Sequence, residues 1–231
     1  MGVEPVLSSA YSLFVVGCSA SIGAVNRYRH KQLSLLTAVY FGLPSVAAIF
    51  LTRRILVPKI PDVLFTIGQT SFSKGAGVLV LFAILMVFSA VRMIRSGNGK
   101  IVEIDEKPVS YLLLGFQGAF VGLLTGLVGA GGGFLIVPAL VFIARLPMKK
   151  AAGTSLFIIA CNSLVGFTGD VAARTIEWSM LLPFTLIAVA GIFVGFAFVN
   201  RVNSAQLKVG FGYFILLIAA WIFANELLDF V

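Results

Sequence analysis

Long apolar runs separated by short polar stretches make up most of the chain. Two of these runs, "GAGVLVLFAILMVFSAV" (75–91) and "MLLPFTLIAVAGIFVGFAFV" (180–199), contain no charged residue. Each approaches or reaches the roughly 20 residues that a helix needs to cross about 30 Å of hydrocarbon. We therefore expect an all-α integral membrane protein, with spans at about 6–25, 33–51, 75–94, 151–169, 180–199 and 209–228.

The composition supports a membrane protein. Hydrophobic residues make up 59% of the 231 residues and charged residues 11%, against about 45–50% and about 25% in soluble domains. The net charge of +8 comes largely from basic clusters beside the apolar runs, such as 26–31, 52–54 and 148–150. Basic residues in that position anchor cytoplasmic loops. The predicted partner is therefore a lipid bilayer, and not a nucleic acid.

The chain contains an internal repeat. The segments "SLFVVGCSASIG" (12–23) and "SLFIIACNSLVG" (155–166) match at an offset of 143 residues, with the infrequent residue cysteine in register. A polar linker, 95–108, lies between the two halves. We predict a first transmembrane repeat in 1–108, incomplete at its N-terminus, and a second in 109–231. Two related halves are typical of secondary transporters.

A glycine-rich segment, "GLVGAGGGFLIVP" (126–138), interrupts the apolar sequence of the second half. If the chain crosses the membrane once between 109 and 145, the two sides receive 8 and 9 of the 17 lysines and arginines, which gives no orientation. If the segment enters and leaves on one side, the distribution becomes 12 against 5. The positive-inside rule thus favours a re-entrant hairpin, with the termini outside and the two repeats related by inversion.

The 143-residue offset also predicts what the first repeat lacks. The counterpart of the glycine-rich segment and its flanks, 115–145, would end close to Met1. We therefore expect the first repeat to lack its opening glycine-rich segment, about 28 residues long.

The second half resembles a known family of transporters. The segments "GAFVGLLTGLVGAGGGFLIVPALV" (118–141), "AAGTSLFIIACNSLVGFTGD" (151–170) and "IEW" (176–178) are similar to those of the TauE/SafE sulfite exporter family, the TSUP permeases. The resemblance implies a permease of the cell's plasma (inner) membrane, and not an enzyme, for small sulfur-containing anions such as sulfite, sulfoacetate or thiosulfate, with no cofactor.

The candidate substrate-binding residues fall in two groups. The first lies at the break, where a half-helix that begins near Gly133 would direct its positive dipole end towards an anion; its members are Gly129, Gly131, Gly132, Gly133 and Pro138. The second consists of polar residues inside the spans, which are costly there unless they face a cavity or each other; its members are Thr154, Ser155, Asn162 and Ser163, with Ser12 and Ser19 from the first repeat. For serine and threonine, bonding back to their own helix is an equally good interpretation.

Other function classes stay open. A membrane thiol oxidoreductase would use Cys18 and Cys161, but the chain has no Cys-x-x-Cys pair and both cysteines lie in apolar spans. A membrane scaffold is a third interpretation, although a scaffold does not need a broken helix. The direction of transport, the coupling ion and any homo-oligomer also stay open.

A re-entrant segment must expose backbone groups to a water-filled cavity or to protein. We therefore expect Gly131→Cys, in a background without Cys18 and Cys161, to react with water-borne thiol reagents in intact membranes. Protection of this position from both sides would instead indicate simple helix packing.

Overall fold

A computed structural model describes residues 5–56, 59, 63–67, 70–97, 110–128, 133–171, 177–199 and 201–228. Within these residues, eight α-helices account for most of the chain. They are α1 (Pro5–Arg29), α2 (Leu35–Leu51), α3 (Lys74–Gly97), α4 (Tyr111–Val128), α5 (Gly133–Phe142), α6 (Met148–Val171), α7 (Trp178–Val199) and α8 (Ser204–Leu228).

The prediction of an all-α membrane protein is confirmed. The six predicted spans correspond to α1, α2, α3, α6, α7 and α8. In the described part of the chain, five helical stretches are both long and apolar enough to cross a bilayer: Leu35–Leu56, Gly77–Ser96, Met148–Thr168, Trp178–Val199 and Ser204–Asn225. The glycine-rich segment gives the remaining two helices, α4 and α5, one on each side of 129–132.

The connection between α2 and α3 contains structure that the apolar pattern did not predict. A π-helical turn, Thr52–Leu56, extends α2, and two short strands follow, β1 (Val63–Ile67) and β2 (Thr70–Ser73). The strands pair antiparallel, with Ile67 opposite Thr70. Both are rich in β-branched and aromatic residues, which suit a pleated ribbon, but they are too short to give a clear signal beside the long apolar runs.

Helices α1 and α6 pack against each other in opposite directions. A side chain at Gly17 would meet Leu164, and one at Gly23 would meet Leu156, so the residue number on α6 falls as that on α1 rises. Nearer the start of α1, Phe14 packs against Phe167, which lies towards the end of α6, with ring centroids 4.9 Å apart. Because the two helices carry the matching repeat segments, their antiparallel packing confirms that the repeats are inverted.

Helices α2 and α4 instead run in the same direction. Gly115 lies against Pro44, Gly118 against the carbonyl of Phe41, Gly122 against the carbonyl of Ser45 and Gly126 against Thr52. Glycines at this spacing form a ridge that lets two backbones come into direct contact, the usual way in which helices associate in lipid. We refer to these four residues, Gly115, Gly118, Gly122 and Gly126, as the α4 glycine ridge.

These contacts show that α4 and α5 are the two arms of a re-entrant hairpin. Since α4 runs parallel to α2, the first residues of both helices lie on the same side of the bundle. The backbone N–H of Ser34, just ahead of α2, donates to Oγ1 of Thr154 at 3.0 Å, which places the start of α6 on that side too. The chain therefore leaves this side along α4 and returns along α5, whose 10 residues span only about 15 Å.

The hairpin brings α5 into the centre of the protein. Ile136 and Leu140 of α5 have no exposed surface and share one apolar cluster with Met86 of α3, Ile158 of α6 and Ile215 of α8. At the C-terminal end of α5, the ring of Phe142 lies 5.2 Å from the Arg92 guanidinium and 5.0 Å from the Lys208 ammonium. Cations at this end stabilise the helix dipole.

The α4 glycine ridge leaves no room for a methyl group at its centre. We expect Gly118→Ala and Gly122→Ala each to cost about 1–3 kcal/mol through overpacking, which lowers the apparent Tm of a chain of this size by about 2–12 °C. Gly210→Ala is the matched control, because a Cβ there would meet no atom within 4 Å. Equal Tm values for all three variants in detergent would contradict the close packing of α2 on α4.

The hairpin topology predicts which residues share a side of the membrane. In a background without native cysteines, Ser110→Cys and Lys150→Cys should both react with an impermeant maleimide from the cytoplasmic side, and Glu177→Cys from the opposite side. All three residues are exposed. Labelling of Ser110→Cys and Lys150→Cys from different sides would show that 111–148 crosses the membrane.

Candidate functional site

A cavity of about 800 Å³ lies between α1, α5, α6, α7 and α8. Along α1 its lining runs from Ser12 to Arg27, which is about 22 Å of helix. The cavity therefore follows the α1–α6 pair across much of the thickness of the bundle. Most of its lining is apolar, including Leu13, Leu156 and Ile192.

Two cations lie at the end of the cavity where α1 ends and α6 begins. Arg27 has only 5% of its surface exposed, yet it borders the cavity. Its guanidinium donates to Oε1 of Gln32 and lies 4.6 Å from the ring centroid of Phe196. Of the five N–H groups that a guanidinium carries, a single protein hydrogen bond is found among the described residues, so donors remain for a bound anion.

The second cation is Lys149, in the first turn of α6. The N-terminus of a helix carries a partial positive charge, which disfavours a lysine there and favours an anion. The described residues that line the cavity include no Asp or Glu. This end of the cavity therefore has a positive potential.

Hydroxyl groups supply the rest of the polar lining. Ser163, 1% exposed, has an Oγ with no hydrogen-bond partner among the described residues and borders the cavity near the middle of α6. Ser155, 2% exposed, donates to the carbonyl of Ala152 at 2.9 Å. Ser12, on α1, is exposed in the cavity wall. The predicted polar group thus contributes three cavity residues.

The other predicted polar residues lie elsewhere. Thr154 is fully buried and accepts the hydrogen bond from Ser34, so it joins α6 to the start of α2. Ser19 and Asn162 lie at the same level of the α1–α6 pair, between the contacts of Gly17 and Gly23. The hydroxyl of Ser19 and both amide atoms of Asn162 have no partner in the described structure. Neither residue belongs to the cavity lining.

The glycine-rich group can be placed only in part. Gly129, Gly131 and Gly132 lie outside the described residues. Gly133 is the first residue of α5, as the half-helix prediction requires, and Phe134 and Val137 in the following turn line the cavity. Pro138 lies inside α5 and has no N–H to donate to the carbonyl of Phe134. The first N–H groups of α5 and the carbonyl of Phe134 therefore have no partner within the helix.

The two cysteines occupy equivalent places on α1 and α6. Both are free thiols, and Cys161 lines a second, apolar cavity of about 380 Å³ on the opposite side of the α1–α6 pair. The described residues contain no cluster of His, Cys, Asp or Glu that could hold a metal ion. The cysteines lie outside the lining of the larger cavity.

Sequence reasoning missed Arg27 and Lys149. Both were assigned to clusters of cytoplasmic loop anchors, and this assignment does not predict their burial. The burial of Arg27 depends on Phe196 and on Gly153, at which a side chain would meet Cβ of Arg27 at 3.0 Å. Since these partners lie more than 120 residues away along the chain, no local pattern distinguishes Arg27 from Arg29.

Comparison with known proteins places the chain in a family. The family model described as sulfite exporter TauE/SafE matches residues 1–222. A probable membrane transporter protein of Methanocaldococcus jannaschii is 37% identical over 123 residues, covering 51% of this chain and 46% of the relative. One of Haemophilus influenzae is 30% identical over 186 residues, covering 72% of this chain and 67% of the relative.

A third relative, the probable membrane transporter protein YunE of Bacillus subtilis, is 30% identical over 171 residues, covering 63% of this chain and 62% of the relative. The chain thus spans about half the length of the archaeal relative and about three fifths of YunE. No solved structure matches the chain. The relatives are named as probable membrane transporters. Because the family model matches nearly all of the sequence, the chain belongs to the sulfite exporter TauE/SafE family.

Proposed function

We propose that the protein is a plasma-membrane permease for a small sulfur-containing oxyanion, such as sulfite or an organic sulfonate. The observation that carries this proposal is the charge of the large cavity, which has Arg27 and Lys149 at one end and no described acidic residue in its lining. Such a lining attracts anions and repels cations. The family's description as sulfite exporters supports the choice of a sulfur oxyanion.

Arg27 is the residue best suited to recognise the anion. The planar guanidinium presents pairs of parallel N–H donors that match two oxygens of a sulfonate, carboxylate or phosphate. Gln32 and Phe196 hold the group in place, so little side-chain entropy is lost on binding. Lys149 adds a point charge, and the N-terminus of α6 adds the positive end of the helix dipole. An anion from the cytoplasm first meets these two residues.

Farther along, the unpartnered polar groups stabilise the anion away from water. The Ser163 hydroxyl has no protein partner in the described structure and is free to donate. The first turn of α5 lies at the same cavity, and the first N–H groups of a helix have no intrahelical acceptor. A small oxyanion can exchange part of its hydration shell for these donors. The proposed path therefore runs from Arg27 towards Ser163.

Export of an anion needs no chemical energy source. Moving one negative charge out of a negative interior releases about 2.3 kcal/mol per 100 mV. A potential of about 100 mV therefore supports a concentration of a monovalent anion that is about fifty-fold higher outside than inside, since about 1.4 kcal/mol is a factor of ten. We therefore propose outward transport, with the membrane potential as the driving force.

The test is flux of sulfite, thiosulfate and sulfoacetate from proteoliposomes under a set potential. Arg27→Gln should lower the flux by about 10- to 100-fold, because a hydrogen bond to a charged group contributes about 1.5–3 kcal/mol. Arg29→Gln is the matched control, since Arg29 is an exposed neighbour on the same helix end and lies outside the cavity lining. Arg27→Lys keeps the charge but loses the parallel N–H donors, so its flux should lie between those of the wild type and Arg27→Gln.

Further variants separate this proposal from the alternatives. Ser163→Ala should reduce flux without lowering Tm, because its hydroxyl has no protein partner to lose. The double variant C18A/C161A should transport normally. Equal flux from the Arg27→Gln and Arg29→Gln variants, both folded, would refute the role of the cavity, and loss of activity in C18A/C161A alone would favour a thiol oxidoreductase.

A further inference from the structure

Arg27 is a buried cation whose partners in the described structure are neutral. Its guanidinium donates to the amide oxygen of Gln32 and lies against the ring of Phe196. Arginine is almost never buried to this extent without an acidic partner. Yet α1 and α7 contain no Asp or Glu, and the one acidic residue of α6, Asp170, lies in its last turn, at the other end of that helix. No described residue therefore neutralises the charge of Arg27.

The end of α1 determines where Gln32 lies. Lys31 has a φ of 55°, in the left-handed region that often ends a helix. The backbone N–H of Lys31 donates to the carbonyl of Tyr28 at 3.0 Å, and that of Gln32 donates to the carbonyl of Arg27 at 2.9 Å. These two bonds form a Schellman motif, in which the chain folds back over the last turn of its helix. Gln32 is therefore held beside the turn that carries Arg27.

The first turns of α6 hold the backbone of Gln32 from the other side. The carbonyl of Gln32 packs on Gly153 so closely that a Cβ at Gly153 would overlap it. Two residues farther along, the backbone N–H of Ser34 donates to Oγ1 of Thr154 at 3.0 Å. Neither contact involves the side chain of Gln32. The backbone of this residue is thus fixed by α1 and α6 together, and its side chain is free to bond Arg27.

The amide group of Gln32 suits Arg27 both in geometry and in charge. A guanidinium has only donors, so the amide presents its oxygen as the acceptor. A glutamate has the same length and shape and would accept the bond more strongly, because a carboxylate and a guanidinium form a charge-assisted pair. That pair would cancel the positive charge of Arg27 at this end of the cavity. Gln32 instead orients the guanidinium and leaves its charge in place.

We propose that Gln32 makes this end of the cavity selective for anions, because it positions Arg27 without neutralising it. The anion then takes the place that a carboxylate occupies beside other buried arginines, so only a negatively charged ligand completes the site. Lys149, in the first turn of α6, adds to the same positive potential. This inference rests on the proposed function, since it assigns to Gln32 a positioning role in that same site.

The experiment compares Gln32→Glu with Gln206→Glu in proteoliposomes under a set potential. Each variant gains one negative charge. Gln206 is the matched control because it is exposed near the start of α8, outside the cavity lining. Its Oε1 accepts the backbone N–H of Asn203 at 3.2 Å, a bond that a glutamate can also accept.

At a thiosulfate concentration below KM, Gln32→Glu should lower the flux by about 10- to 100-fold, the loss expected when a hydrogen bond to a charged group is removed. The reason is that the new carboxylate competes with the anion for Arg27. The Tm of this variant should stay equal or rise, because the carboxylate pairs with a buried charge. A residue with only a structural role would lower flux and Tm together. Gln206→Glu should change neither.

A second variant, Gln32→Met, removes the hydrogen bond without adding a charge. Arg27 then keeps its charge but has to be ordered when the anion binds. The KM for thiosulfate should therefore rise by about two- to ten-fold, and kcat should change little. An unchanged KM in this variant would show that Gln32 does not position Arg27.

The outcomes separate this inference from the proposed function. If Arg27→Gln lowers the flux but Gln32→Glu transports as well as Gln206→Glu, the inference is wrong and Arg27 remains the anion site. A joint loss of flux and Tm in Gln32→Glu would also overturn the inference, because Gln32 would then be structural. If Arg27→Gln transports as well as Arg29→Gln, the proposed function itself fails.

Discussion

The close crossing of α1 and α6 is the contact on which the other helices depend. Lipid is as apolar as leucine, so helices in a bilayer gain little by hiding apolar side chains and associate through close van der Waals contact. Gly17 and Gly23 of α1 allow that contact with Leu164 and Leu156. Because the crossing is antiparallel, it brings Arg27 beside the first turns of α6 and defines the wall of the large cavity.

The same crossing concentrates polar atoms in the middle of the protein. The hydroxyls of Ser19 and Ser163 and the amide of Asn162 lie there without partners in the described structure. An unpartnered polar group in an apolar interior costs about 1–3 kcal/mol, and a stable scaffold gains nothing from that cost. At Ser163, which lines the large cavity, a permease does gain, because a group that is bonded to the protein has to break that bond before it can bind the cargo.

The sequence predicted features with long-range regularity. The spans follow from apolar runs of the length of a bilayer, and the inverted repeat follows from the cysteine-containing match between 12–23 and 155–166. The count of basic residues favoured the hairpin, which the contacts of Gly118 and Ser34 confirm. Each of these signals accumulates over many residues, so no single residue decides it.

Features that depend on one contact between distant residues were not predictable. Arg27 and Arg29 lie two residues apart in the same basic cluster, and the packing of Phe196 and Gly153 buries the first. Ser155 and Ser163 look alike in sequence, but only Ser155 bonds back to its own helix. Thr154 was predicted as a site residue because it is polar and lies inside a span, but it joins two helices instead. The tertiary fold decides between such roles.

A hairpin that enters and leaves on one side adds no net crossing of the membrane. The orientation of every helix that follows is the same whether the hairpin is there or not, so translocation machinery that reads the loops by their charge inserts the remaining helices identically. Such a module can be gained or lost during evolution without turning the rest of the protein inside out. The opposite orientations of α1 and α6 therefore follow from the full spans between them and do not depend on the hairpin.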